Sequence, residues 1–397
     1  MMAHATNVWL IAAAWMLLAF VASVVSIRTG ISVALIEIGM GVIGGNFLGL
    51  QTSEWVNFLA TFGAVLLTFL AGAEIDPDSL RVHLKAALVI GFVSFLAPFL
   101  GAWGFAYWVT GWTYQGALIC GIALSTTSVA VVYAVMVETG LSRTSLGKMI
   151  LAACFVTDLG TVLALGVFFA DFNRWLLAFA VALGVALRFT PRLSRALIAT
   201  FGATRVSEPE VKFLFLVLFF LGGLATTARS EAVLPAYLVG LVVAGVFVED
   251  RVLVTRMRSI AFSMLTPFYF IKAGLFVSLP AVVTSAGLIL ALLAVKLAAK
   301  SIGVWPLARV FKLPTREANY TTLMMATGLT FGTISALFGL EHNLIDRTQY
   351  TVLVTVVIGS AVVPTLIAQA FFQPDVKEQA PAVGEARAVA MSAGHGR

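Results

Sequence analysis

The stretch ALSTTSVAVVYAVMVETGLSRTSLGKMILAACFVTDLG, residues 123–160, decides the fold. Two apolar runs flank a short polar turn. The first is interrupted by the hydroxyl-rich Ser125, Thr126, Thr127 and Ser128, and the second carries one carboxylate, Asp158. A predominantly apolar run of this length, with no alternation of polar and apolar residues, reads as a bilayer-crossing helix and not as a barrel strand. Small hydroxylated residues in mid-run mark a place where a helix breaks. Freed backbone groups are tolerated there only inside protein or beside a cavity.

The whole chain carries the same signature. It is 397 residues, 60% hydrophobic and 11% charged, against about 45–50% and about 25% for ordinary globular domains, with a mean hydropathy of +1.00. That composition excludes a soluble enzyme, a disordered chain and a nucleic-acid binder. Cys120 and Cys154 lie in apolar runs, which excludes a disulfide scaffold and a zinc cluster. His4, His83, His342 and His395 fall near segment ends or tails, so none serves a nucleophile at membrane depth and an intramembrane hydrolase is set aside. No phosphate-binding glycine loop follows the membrane part, so no ATP or other cofactor is expected and an ion gradient must supply energy.

About 20 apolar residues cross a bilayer core. That length gives thirteen candidate spans: 7–27, 31–50, 55–74, 84–110, 115–137, 145–170, 172–188, 211–228, 232–248, 258–278, 282–308, 318–340 and 350–372. The first lacks a positive flank and a small-residue cleavage site, so it reads as a span and not a leader. Of the 25 basic residues, nineteen follow odd-numbered spans; only Arg174, Arg229 and Arg347 fall on the other side, and Lys272, Lys296 and Lys300 fall inside spans. Positive loops face the cytoplasm, which places the N-terminus outside and the C-terminus inside the plasma (inner) membrane. The net charge of +6 is therefore a topological signal.

Residues 188–212 read as an amphipathic cytoplasmic linker, and 373–397 as a disordered tail following a membrane domain of 1–372. On either side of the linker, spans two to six (about 31–170) and nine to thirteen (about 232–372) form two five-helix units of opposite polarity, as in secondary transporters. Their fourth members carry ALSTTSVAV (123–131) and ATGLTFGTIS (326–335), which predicts two broken, crossing helices. The fold class is thus an all-α polytopic membrane protein of about thirteen helices with inverted repeats.

Ionisable groups at membrane depth mark functional sites. Asp158 sits mid-span, 13 residues after Ser145 and 12 before Ala170. A carboxylate there can take a proton or a metal cation and so exchange one for the other. Lys296 and Lys300 are one turn apart on one helix face and either could pair with it. Lys272 lies near a span end and can snorkel outward. Glu37, two turns into its span, is either a structural group or a gate. Glu74 and Asp76 sit at a span end in reach of water.

At these residues the chain resembles the bacterial monovalent cation/proton antiporters, which include sodium/proton and potassium/proton exchangers. The likeness runs through ISVALIEIGMGVIGG (31–45), FGAVLLTFLAGAEIDPDSLR (62–81), the 123–160 block, AAKSIGVWPLAR (298–309) and LTFGTISALFGL (329–340). It implies that Asp158 binds the ion and that Lys300 is its partner, with Thr126, Thr127 and Ser128 lining one unwound segment and Thr330 and Thr333 the opposing helix. Lys296 and Glu37 stand as secondary candidates. The departure is Thr157, where electrogenic members carry a second aspartate; its hydroxyl offers an oxygen and no charge. With one titratable carboxylate, electroneutral exchange of one proton for one Na+ or K+ is the simplest expectation, by alternating access in a homodimer. A channel and an organic-anion symporter on the same scaffold are the rivals. A channel would need charge rings or filter carbonyls, whereas the three membrane lysines suit the symporter.

Overall fold

The structure is a computed structural model; it describes residues 7–29, 33–73, 84–141, 144–169, 174–201, 208–228 and 232–374. Glu74, Asp76 and the tail from 375 lie outside the described residues. The helices are α1 (Val8–Thr29), α2 (Val33–Asn46), α3 (Glu54–Ala73), α4 (Leu84–Gly104, extended by a π-helical turn, Phe105–Val109), α5 (Tyr114–Ser125), α6 (Val129–Glu138), α7 (Ser145–Phe168), α8 (Arg174–Phe201) and α9 (Pro209–Thr227). Then come α10 (Val233–Glu249), α11 (Arg251–Ile260), α12 (Thr266–Leu275), α13 (Leu279–Thr284), α14 (Ala286–Val310), α15 (Thr315–Ala326), α16 (Thr330–Glu341) and α17 (Arg347–Phe372). Among the described residues nine helical stretches are long and apolar enough to cross a membrane.

The four remaining candidate spans are shorter or interrupted. The second, read as 31–50, is helical among the described residues over Val33–Asn46 and stops short of residue 50, about 21 Å at 1.5 Å per residue. The fifth breaks between α5 and α6. The ninth is a 17-residue helix. The tenth runs through α11, a π-helical turn at Ala261–Leu265 and α12. Pro267 opens α12, and a proline can neither donate to nor pack against the carbonyl four residues back, which a wider turn accommodates.

One expectation needs correcting. Residues 188–201, read as the first half of a linker, continue α8 without a break, and α9 already begins at Pro209. The arginines there look like loop composition, but Arg188, Arg192 and Arg195 recur at helical spacing. Asp250 in turn caps α11 by accepting from the Val252 and Leu253 amides.

The helices pack as two bundles. One holds α1–α3 and α8–α12, with α2 laid on α12 and α3 on α10; the other holds α4–α7 and α14–α17, with α4 laid on α5, α7 and α14. Glycine makes the closest approaches possible. A Cβ at Gly274 would strike the Ile38 carbonyl, one at Gly41 the Ile271 carbonyl, and one at Gly240 the Phe69 carbonyl. These backbone contacts cannot yield as a side chain would. Gly274→Val should therefore force α2 off α12 and lower stability by about 1–3 kcal/mol, read as a fall in melting temperature in detergent; an unchanged melting temperature would show that this contact is not formed.

Between the bundles, α10 touches α7 and α13 links α12 to α14. Hydrogen bonds across the boundary include those of the Tyr237 hydroxyl, which donates to the Phe155 carbonyl at 2.9 Å, and of the Tyr350 hydroxyl, which donates to the Ala273 carbonyl at 2.6 Å.

Candidate ion-exchange site

The site is built where two helices stop in mid-bundle. α5 ends at Ser125 and α15 at Ala326, and the residue after each, Thr126 and Thr327, is extended, with ψ near 150° and 135°. Each of these threonines turns its hydroxyl back onto its own helix, to the Ala123 carbonyl at 3.1 Å and the Met324 carbonyl at 2.8 Å. The two breaks then satisfy one another. The Ser128 amide donates to the Thr327 carbonyl at 2.9 Å, and the Thr127 hydroxyl to the Met325 carbonyl at 2.7 Å. Backbone groups stranded in an apolar interior cost several kcal/mol each if left unmade, so the pairing fixes how the segments cross. Gly328 leaves room at the crossing for three side chains, since a Cβ there would press on Lys296 Nζ, Ser360 Oγ and Thr126 Oγ1.

Asp158 lies on α7, 1% exposed, and its Oδ1 has no hydrogen-bond partner. Thr157 is fully buried, and its hydroxyl donates to the Ala153 carbonyl at 3.0 Å, with the Gly91 carbonyl of α4 at 3.4 Å. That geometry spends the hydroxyl hydrogen on the backbone and leaves the oxygen's lone pairs for other uses. Thr330 and Thr333 are buried at the start of α16, the latter donating to the Leu329 carbonyl at 2.7 Å.

Both lysines of α14 are fully buried, and neither forms an ion pair with Asp158. Lys300 donates to Ser94 Oγ at 2.8 Å and to Thr127 Oγ1 at 2.9 Å, so its ammonium sits on the first break. Lys296 donates to Ser360 Oγ at 2.9 Å, beside the second break. Ser94 and Ser360 escaped the sequence reading. Each stands four residues before a proline inside an apolar helix, SFLAP at 94–98 and SAVVP at 360–364. Proline removes the amide that would have bonded the serine carbonyl, and the ammonium docks where the ladder is open. A Ser-x-x-x-Pro pattern within a span is the signal that could have found them.

The remaining candidates lie elsewhere. Glu37 is on α2 in the other bundle, 2% exposed, with Oε2 unpartnered. Lys272 does not snorkel: it is 3% exposed and ion-paired with Glu341. The pair lies on the wall of a cavity of about 500 Å³ between the bundles, lined by α3, α10 and α12 on one side and α16 on the other. The cavity follows α16 inward from Glu341 to Ile334. One turn further in, the Phe331 ring meets the edge of Tyr237 at 6.3 Å, and that tyrosine's hydroxyl holds the Phe155 carbonyl on the Asp158 helix.

A family model described as sodium/hydrogen exchanger, transmembrane, matches residues 16–373. The chain belongs to the sodium/hydrogen exchanger family. It is a multi-pass membrane protein of a transporter family and not an enzyme. The exchanger is 24% identical over 352 residues to the probable Na(+)/H(+) antiporter 3 of Methanocaldococcus jannaschii, covering 86% of this chain and 89% of that one. It is also 24% identical to the Na(+)/H(+)-K(+) antiporter GerN of Bacillus cereus, covering 88% and 92%. Among solved structures, the sodium proton antiporter MjNhaP1 of Methanocaldococcus jannaschii superposes with a TM-score of 0.69 at 14% identity, covering 92% of this chain and 98% of that one. That likeness establishes the fold of the exchanger and, at this identity, nothing about its ion.

Proposed function

We propose that this chain exchanges a monovalent cation, Na+ or K+, for a proton, with Asp158 as the one group that takes either. The observation that carries the reading is a fully enclosed carboxylate with an unpartnered oxygen, on a helix packed against the elements of two mutually bonded helix breaks. Carboxylate and hydroxyl oxygens suit hard cations. The reported relatives are named for Na+ in one case and for both Na+ and K+ in the other, which keeps both ions in play.

The helix packing supports two inverted repeats, about 31–170 and 232–372. Exchanging the units interchanges the α3–α10 contact with the α12–α2 contact and returns the α4–α14 contact to itself. The bundle that bears Asp158 would slide past the other, which would form the homodimer interface. An ionised, empty Asp158 is barred from crossing, since a bare charge in hydrocarbon costs several kcal/mol even on the lower scales. A proton or a cation removes that penalty, and this asymmetry links the two fluxes. Lys300, held by Ser94 and Thr127, balances the carboxylate without plugging its coordination sphere. The charge distribution favours an N-terminus outside and a C-terminus in the cytoplasm of the plasma membrane.

One titratable carboxylate and Thr157 beside it favour electroneutral exchange of one H+ per cation. Reconstituted vesicles test both points. Imposed Na+ and K+ gradients should drive proton movement monitored by an internal pH dye, with no change when the membrane potential is clamped at different values. A current that scales with the cation gradient would overturn the stoichiometry, and proton movement with neither ion would overturn the exchange.

A further inference from the structure

The exchange reading gives no role to Lys272 and Glu341, although they join the two bundles. Lys272 on α12 is buried, while Glu341 on α16 is 40% exposed, and both line the cavity. Three residues before Lys272, Tyr269 lines it too. Its side chain is 2% exposed and its hydroxyl has no hydrogen-bond partner. Buried hydroxyls are seldom left without a partner. One carried by a residue on the wall of a water-sized cavity, which a carboxylate also lines, points to a ligand that arrives through that cavity.

We infer that Glu341 and the Tyr269 hydroxyl form a second binding site for the monovalent cation at the cavity mouth, where the Lys272 ammonium holds the cation's place. The donor set is a carboxylate and a neutral hydroxyl, oxygen ligands that suit a hard cation. An ammonium on the carboxylate supplies the charge the cation would bring, so the two compete for one position. Glu341 is open enough for an ion from the cavity to reach it, whereas Lys272 is enclosed. Seven residues, about 10 Å of helix, separate Glu341 from Ile334 at the inner end of the cavity. A cation taking the carboxylate from Lys272 would also release an ionic tie between α12 and α16, and so between the bundles. The inference rests on the exchange reading and names a further binding site for the same cargo.

Equilibrium binding of ²²Na+ to purified protein carrying Asp158→Asn, with ⁸⁶Rb+ in a parallel arm as a potassium stand-in, tests it free of the central carboxylate. Asp158→Asn should still bind one of the two ions. Adding Glu341→Gln should weaken that binding by at least about tenfold, and adding Lys272→Met instead should tighten it by about tenfold, a change of about 1.4 kcal/mol. Retained binding that ignores Glu341→Gln, or no binding of either ion by Asp158→Asn, would overturn the second site. Should the glutamine variant fail to fold, the Lys272→Met arm decides alone, and unchanged affinity there overturns it. Failure of the exchange reading would be seen separately, as wild-type protein that moves no protons on either cation gradient.

Discussion

Asp158→Asn should abolish cation-driven proton movement while leaving a folded, monodisperse protein. Asparagine keeps the size and one carbonyl oxygen but can neither bind a proton in this range nor neutralise a cation. It also removes the group whose ionised form is barred from crossing. The native side chain makes no hydrogen bond at Oδ1, so little packing depends on its charge, and replacing an enclosed carboxylate with a neutral isostere relieves a desolvation burden. Activity and stability should therefore separate, with vesicle exchange falling to background and the melting temperature holding or rising. Exchange that persists in this variant places the ion site elsewhere in the molecule.

Lys300→Met should have the next largest effect. The ammonium is fully buried and held only by the Ser94 and Thr127 hydroxyls. Methionine fills much of the same apolar volume, and replacing a buried charge by a packed apolar group is often neutral or stabilising. Without the ammonium, Thr127 keeps its bond to the Met325 carbonyl but loses its second partner, and Asp158 loses the positive charge that balances it when empty. Exchange should fall by roughly tenfold or more, the scale on which small misplacements of a reacting site act, with no loss of thermal stability. Lys296→Met should be milder, because Lys296 holds Ser360 beside the second break and makes no bond to Thr127. Equal losses from the two lysines, or wild-type exchange by Lys300→Met, would contradict these roles.

How far the sequence discloses this molecule depends on which contacts are local. The interruptions at Thr126–Ser128 and Thr327–Leu329 are legible because small hydroxylated residues cluster within one run and their first bonds go to their own helices. The depth of Asp158 follows from counting along α7. The partners of the lysines are not legible in that way. Ser94 and Ser360 lie 206 and 64 residues from the lysines they hold, and only the prolines downstream hint that their carbonyl ladders are open. The pairing of Lys272 with Glu341, 69 residues apart, is hidden for the same reason, and a snorkelling lysine was the simpler local reading. Helix ends are the other weak point. Charged residues at helical spacing extend α8 to Phe201, and the second span's helix stops at Asn46, short of its expected end.

Proton release on adding NaCl or KCl to the purified, unbuffered protein in detergent bears most directly on the competition at Asp158. The exchange mechanism predicts release of about one proton per chain on saturation with at least one of the two salts, absent in Asp158→Asn. It also predicts no release with choline chloride at the same ionic strength. No proton release from the wild-type chain with either Na+ or K+, or equal release from Asp158→Asn, would contradict it.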